Sequence, residues 1–174
     1  MMLPSVKIKK ILYATDLSES AHYAFAYAVS MANLYGAAIV ILHVLTEIPN
    51  LDTSVQAYIG ADRWEEIRER NIKEARESLT GKKRERGVIR EALGRFCEDI
   101  KSTSGEHFET DEILVKRGKP AEVILEQSQE KNCDLIIMGT HGHGFLADVV
   151  MGSTAKKVIR GSEKPVLVVR LPKK

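Results

Sequence analysis

Three glycines and two histidines crowd into Gly139-Thr140-His141-Gly142-His143-Gly144, and Gly152-Ser153-Thr154 follows after a spacer. These residue types suit an anion. Glycines let a ligand approach bare backbone, and they admit positive φ angles. The run leads into a helix whose first amides lack partners within the helix. Ser153 and Thr154 add hydroxyls beside those amides, or cap the helix themselves. Amide geometry and helix dipole together favour an anion at such a start. A phosphate beside the Gly139, Gly142 and Gly144 run and the Gly152-Ser153-Thr154 helix start is the natural candidate. Asp16, just past another strand-like run, is placed to accept hydrogen bonds from a ribose or base. The bland alternative is a surface turn whose glycines only terminate a strand.

Familiar phosphate motifs are missing. There is no G-x-x-x-x-G-K-[ST], and the glycine spacing is not G-x-G-x-x-G. Thr140-His141-Gly142-His143 does read as T-x-G-H, a phosphate-contacting signature of nucleotidylyltransferases. In those enzymes it follows the first strand, whereas here it follows the fourth. His141 and His143 also have metal-ligand chemistry, but two ligands do not complete a site. Both are read as contacts to phosphate or solvent. His43, at the end of an apolar strand, and His22, on a helix, are read as structural.

The elements that must position these residues alternate along the chain. Lys9 to Ala14 reads as a short strand, and Thr15-Asp16-Leu17-Ser18 breaks it. Ser18 is a candidate N-cap for a helix over Glu19–Tyr35, which Gly36 ends. Ala37 to Val44 is a nearly continuous apolar run, as in a strand buried on both faces. Thr46 to Gly60 reads as an irregular loop, with Pro49, Asn50, Asp52 and Gly60. Ala61 to Ser102 reads as charged helix. Trp64, Ile67, Ala75 and Leu79 line one face, and Val88, Ile89, Ala92, Leu93, Phe96 and Ile100 a second. Gly81 and Gly87 suggest a break or kink between the two. Strands follow at Glu112–Lys116, Leu135–Met138 and Pro165–Val169. Helices lie between them, from Pro120 to about Lys131 and from about Ser153 to Gly161. Ala155, Val158 and Ile159 form the apolar face of the last helix. This alternation predicts an α/β fold with one parallel sheet and helices on both faces. Ligands of such sheets bind beyond the carboxyl ends of the strands, where strand order reverses. Asp16 and the glycine run both lie at such ends.

Bulk properties narrow the functions. A length of 174 residues suits one domain, 1–174. The net charge of +2 gives no case for nucleic-acid binding through bulk electrostatics. Between Asp62 and Arg90, ten basic and seven acidic residues are interspersed, which favours a solvated helix face over a phosphate stripe. No apolar stretch approaches the roughly 20 residues that span a bilayer. The N-terminus is too short and polar for a signal peptide. The expected location is therefore cytoplasmic, with no membrane partner. Cys97 and Cys133 are read as buried, unpaired thiols.

Gly139-x2-Gly142-x9-Gly152-Ser153 resembles the ATP-binding motif of the universal stress protein family. "ILYATDLSESA" is similar to that family's first strand and its Asp-bearing turn, and "KPVLVVR" to its last strand. With the element order, the resemblance covers nearly the whole chain. It implies a Rossmann-like sheet of five parallel strands in the order 3-2-1-4-5. It implies a homodimer through the last strand, Pro165–Val169. The ligand it implies is ATP or AMP, although some members bind neither, and Mg or Mn often accompanies the phosphates. By position, Ala14, Thr15 and Asp16 would contact adenine and ribose. Val44 would reach adenine through its backbone, and Met138 would pack near base or sugar. Gly139, Gly142, Gly152, Ser153 and Thr154 would hold ribose and phosphates. The stretch over about 46–104 departs in detail and reads as a candidate charged helical insertion.

Three functions follow for weighing. The first is an adenine-nucleotide-binding dimer that regulates a stress response. The second is a slow ATPase, for which His141 and His143 are the only candidate proton carriers near the phosphates. The third is a nucleotide-free dimeric scaffold.

Overall fold

The computed structural model describes residues 3, 5–46, 51–74, 81–104, 107–142 and 151–172. The elements are β1 (Lys10–Thr15), α1 (Glu19–Tyr35), β2 (Ala38–Leu45), α2 (Leu51–Ile59), α3 (Ala61–Glu74) and α4 (Gly81–Ser104). They continue with β3 (Glu109–Arg117), α5 (Pro120–Glu130), β4 (Leu135–Gly139), α6 (Ser153–Gly161) and β5 (Val166–Val169). Five strands form one sheet in the order β3-β2-β1-β4-β5, and every pairing is parallel. This is the Rossmann-like order that the family resemblance implies.

Period-two alternation along the strands divides the core into two layers. Ile11, Tyr13, Ile39, Ile41, Leu135 and Ile137 face one side, where α1, α2, α3 and α4 cover them. Leu12, Ala14, Val40, Leu42, Ile136 and Met138 face the other, under α5 and α6. Helix α1 sits close to the sheet because Ala21, Ala24, Ala28 and Ala32 form its buried face. Its start is capped as expected: the Ser18 hydroxyl accepts from Ala21 N–H at 3.2 Å, a device worth about 1 kcal/mol. Its end is Gly36, left-handed at φ 63.

Two sequence expectations fail in the long middle stretch. Thr46–Gly60 is not all loop, because Leu51–Ile59 forms α2. Nine residues carry too little periodicity to show this locally. Tertiary packing of Val55 and Tyr58 supplies the helix with its buried side. The two expected helical segments are indeed separate helices, α3 and α4, but their break does not fall between Gly81 and Gly87: α4 begins at Gly81 and runs through Gly87. Trp64 and Ile67 are buried as expected, while Ala75 and Leu79 lie outside the described residues. The mixed charges pair between helices, with Arg95 on Glu66 at 3.1 Å and Arg63 on Asp99. Elsewhere Ile159 is 44% exposed, so the apolar face of α6 narrows to Ala155 and Val158. Among the described residues no helix is long and apolar enough to cross a membrane.

Both cysteines are free and buried. Burial pushes the Cys97 thiol up to about 12 and the Cys133 thiol up to about 11, so both remain protonated and inert at neutral pH.

His22 is exposed along one side, but its ring stands edge-on to Tyr58 and to Phe96 at centroid distances of 5.1 Å each. Burial lowers its pKa from the ordinary 6.5. The folded chain therefore holds fewer protons here than the unfolded chain, and unfolding takes up a proton. The resulting penalty is absent above pH 6.5 and sets in as pH falls through 6.5 toward the folded value. Urea unfolding should show stability falling with acidification in this window, and His22→Gln should flatten that slope. An unchanged slope in the variant would assign the acid sensitivity elsewhere.

Candidate functional site

The site begins where β1 ends. Asp16-Leu17-Ser18 makes a tight turn into α1. The Asp16 carboxylate accepts from Ser18 N–H, and the Thr15 hydroxyl from Leu17 N–H, both at 3.1 Å. Leu17 sits at φ 64, in the left-handed region. For a side chain other than glycine, asparagine or aspartate this costs roughly 1–2 kcal/mol. Leu17 is also buried, so packing against the core holds the strained turn in place.

The second wall comes from β4 and the residues beyond it. Thr140, buried, donates its N–H to Val169 at 2.9 Å, and Gly152 donates to the Thr140 carbonyl at 2.8 Å. That second bond brings the far end of the glycine run back against its start. The Ser18 hydroxyl reaches the His141 carbonyl at 3.4 Å and ties the two walls together.

Between them lies a cleft of about 340 Å³. Its floor is a row across three strands, since Ala14 is in register with Leu42 on β2 and with Met138 on β4. Val44 continues the row two residues on from Leu42. Asp16, Thr15, Gly139 and Gly142 form one rim. Gly152, Ser153 and Thr154, at the start of α6, form the other. The structure thus brings Ala14, Thr15, Asp16, Val44, Met138, Gly139, Gly142, Gly152, Ser153 and Thr154 to one cleft, with His141 beside them. It adds Leu42, Thr46, Pro120, Ile124 and Thr140 to the lining. Leu42 was legible from period-two spacing before Val44. Pro120 and Ile124 are one helical turn apart at the start of α5, but nothing local showed that α5 leans over this cleft.

The glycines work differently from the expectation. Positive φ among the described glycines occurs only at Gly36, Gly60 and Gly118. Gly139, Gly142 and Gly152 are needed for space instead. A Cβ at Gly139 would collide with the Ser20 side chain and lie 2.9 Å from its carbonyl carbon, so this glycine lets α1 touch β4. A Cβ at Gly142 would strike the Asp16 carboxylate. A Cβ at Gly152 would meet the Thr140 carbonyl oxygen at 3.0 Å. Gly144 and His143 lie outside the described residues.

The helix cap is also different. Gly152, not Ser153 or Thr154, is the N-cap of α6, and no side chain caps it. The amides of the first turn therefore keep no intrahelical partner. The cleft joins an apolar floor to a rim of hydroxyls, amides and one carboxylate, Asp16. Among the described residues the lining includes no lysine or arginine. Charge compensation for an anion would have to come from amides and the helix dipole. Among the described residues no group of three or more His, Cys, Asp or Glu side chains is placed to hold a metal ion.

Residues 7–170 match the model of the Universal stress protein family. The chain belongs to that family. Universal stress protein MJ0577 of Methanocaldococcus jannaschii is 30% identical over 180 residues, covering 95% of this chain and 97% of its own. The solved structure of MJ0577 superposes with a TM-score of 0.63 at 27% identity, covering 97% of this chain and 100% of that one. A universal stress protein of Thermus aquaticus is 30% identical over 162 residues, covering 93% of this chain and 98% of its own. The Archaeoglobus fulgidus universal stress protein solved in complex with dAMP shares the fold. It has a TM-score of 0.56 at 20% identity and covers 95% of this chain and 99% of that chain.

Two substitutions separate the uses of glycine in this universal stress protein. Gly139→Ala presses on Ser20 backbone, which cannot yield, and should cost about 1–3 kcal/mol in urea unfolding. Gly142→Ala presses only on the tip of a flexible carboxylate and should cost less than about 1 kcal/mol. Equal losses at both positions would contradict this division.

Proposed function

We propose that this universal stress protein is a single-domain, cytoplasmic, homodimeric regulator of a stress response, and that it binds an adenine nucleotide, ATP or AMP, in the cleft. One observation carries the reading. The apolar row Leu42–Ala14–Met138 lies in the same cleft as the uncapped first turn of α6. A flat base needs an apolar floor, and a phosphate needs free amides at a helix start. A volume of about 340 Å³ falls within the usual range for small-ligand sites. The dAMP complex of the Archaeoglobus fulgidus protein adds support from a shared fold.

In this reading adenine lies against Ala14, Met138 and the backbone of Val44. Thr15 and Asp16 meet the ribose and the edge of the base. Gly139, Gly142, Gly152, Ser153 and Thr154 surround ribose and phosphates. Asp16 is the only carboxylate among the described lining residues. Mg or Mn would therefore be held chiefly by the phosphates of the nucleotide.

The dimer reading rests on the contrast between the two sheet edges. The β3 edge carries Glu109, Asp111, Lys116 and Arg117, charges that discourage strand addition. The β5 edge is Val166-Leu167-Val168-Val169, with its first three residues only partly buried. An apolar edge of this kind is suited to pairing with a second copy.

Among the described residues His141 gives a hydrolytic reading its foothold. Its ring lies 3.0 Å from the Thr140 hydroxyl, on the cleft wall. Steady ATP turnover that vanished in His141→Gln would add hydrolysis to binding.

Mass analysis of small molecules released from the denatured protein, followed by calorimetric titration of the emptied protein, tests the main reading. Saturable binding of ATP or AMP is expected. Gly142→Leu should weaken it about tenfold or more by displacing the Asp16 carboxylate, while cooperative unfolding persists. Sedimentation should give twice the 19.4 kDa chain mass. A protein with no affinity for either nucleotide would leave the dimeric scaffold as its function.

A further inference from the structure

Behind the cleft, on the opposite face of the sheet, lies a buried group of hydroxyls. Tyr13 Oη donates to the Ala21 carbonyl of α1 at 2.6 Å. Tyr58 Oη lies 3.0 Å from Tyr13 Oη. A carbonyl only accepts, so the single proton of Tyr13 goes to Ala21 and Tyr58 donates to Tyr13. Ala21, which accepts the Tyr13 proton, donates its own N–H to the Ser18 hydroxyl at 3.2 Å, and Ser18 N–H donates to the Asp16 carboxylate at 3.1 Å. In the same turn the Thr15 hydroxyl accepts the N–H of Leu17, the strained residue. Both phenols are buried, with Tyr13 1% and Tyr58 6% exposed. Burial raises the pKa of each above its ordinary value, so neither gives up its proton at neutral pH.

These contacts form a relay from α2 to the cleft. Tyr58 belongs to α2, and its ring packs on Phe96 of α4 at a centroid distance of 4.4 Å. Its hydroxyl leads through Tyr13, the Ala21 peptide and Ser18 to the Asp16 carboxylate. One residue before Leu17 stands Asp16, whose carboxylate occupies the space that the missing Cβ of Gly142 leaves open. A turn held in the left-handed region stays there only while its surroundings enforce it. The relay enforces it from the side away from the ligand.

We infer that Tyr58 is a positioning residue of the cleft: through Tyr13, Ala21 and Ser18 its hydroxyl holds the Asp16 turn in its binding conformation, so that docking of α2 and occupancy of the cleft are linked. The ligand half of this statement rests on the adenine-nucleotide reading. The linkage is reciprocal, because two events that share one structural state must favour each other by the same factor. A bound nucleotide thereby stiffens α2, and α2 in turn packs against α3 and α4. The bound state is then readable on the helical face remote from the cleft.

Tyr58→Phe keeps the ring on Phe96 and removes only the donor. Two readouts apply, with Trp64→Phe as a comparator that loosens α3 packing without touching the relay. In the nucleotide-free protein, hydrogen exchange at Leu17, Ser18 and Ala21 amides should accelerate roughly three- to tenfold in Tyr58→Phe, the factor one net hydrogen bond commands. Trp64→Phe should show no such local excess over its global loss of stability. Tyr13→Phe breaks the same relay one step nearer the turn and should reproduce the pattern. In calorimetry, Tyr58→Phe should weaken AMP binding by roughly three- to tenfold, with Trp64→Phe within about twofold of wild type. Saturating AMP should slow exchange in Leu51–Ile59 of the wild type and not of Tyr58→Phe. Wild-type exchange at Leu17 and Ser18 in both tyrosine variants would overturn the inference. So would an unchanged AMP affinity in Tyr58→Phe when the wild type binds. If the wild type binds neither AMP nor ATP, the nucleotide reading falls, and the exchange comparison alone decides whether Tyr58 positions the turn.

Discussion

The pairing of β1 with both β2 and β4 is the constraint on which the rest depends. Because β1 is central, the connection to α1 leaves one side of it and the chain after β4 leaves the other. The carboxyl ends of β1 and β4 thus open a crevice that no side chain of the sheet closes. The register Leu42–Ala14–Met138 makes the floor of that crevice apolar. A strand slipped by one residue would turn those side chains to the other face and put Tyr13 and Thr15 in their place.

The same alternation explains why the two faces of β1 do different work. Ala14 is small and leaves room on the α5/α6 side, where the cleft lies. Tyr13 is large and fills the α1/α2 side, where Phe25 packs on it at 4.9 Å between ring centroids. Thr15 contributes to both, since it lines the cleft and its hydroxyl belongs to the buried polar cluster. His43, fully buried on the neighbouring strand, adds its ring to that cluster, with Nδ1 2.9 Å from the Thr15 carbonyl. Polar groups so deeply buried are stabilising only when partnered, and here the partners come from three separate elements. The Asp16 turn is therefore backed by a layer with few alternative arrangements.

Much of this was legible in the sequence. The span of α1 from Glu19 to Tyr35 followed from Ser18, Gly36 and alanines at helical spacing, because caps and periodicity are local signals. β2 was legible as an apolar run for the same reason. Asp16 and the glycines were found by type and position at strand ends. The reason for the glycines was not legible. Gly139 is small because Ser20 lies on it and Gly142 because Asp16 does, contacts across more than a hundred residues of chain. Helix α2 was missed because its stability lies in where Val55 and Tyr58 land, not in its own propensity.

By itself, then, the sequence determined the order and type of most elements, the capping of α1 and the positions able to hold an anion. Those depend on neighbours a few residues apart. Only the tertiary structure decided that Leu42, Ala14 and Met138 share one floor. It also made Gly152 rather than Ser153 the cap of α6, and it joined Tyr58 to Tyr13 behind Asp16. Each of those depends on strand register and helix docking, which place side chains from distant segments within hydrogen-bond or van der Waals reach. No local window of the chain contains both partners.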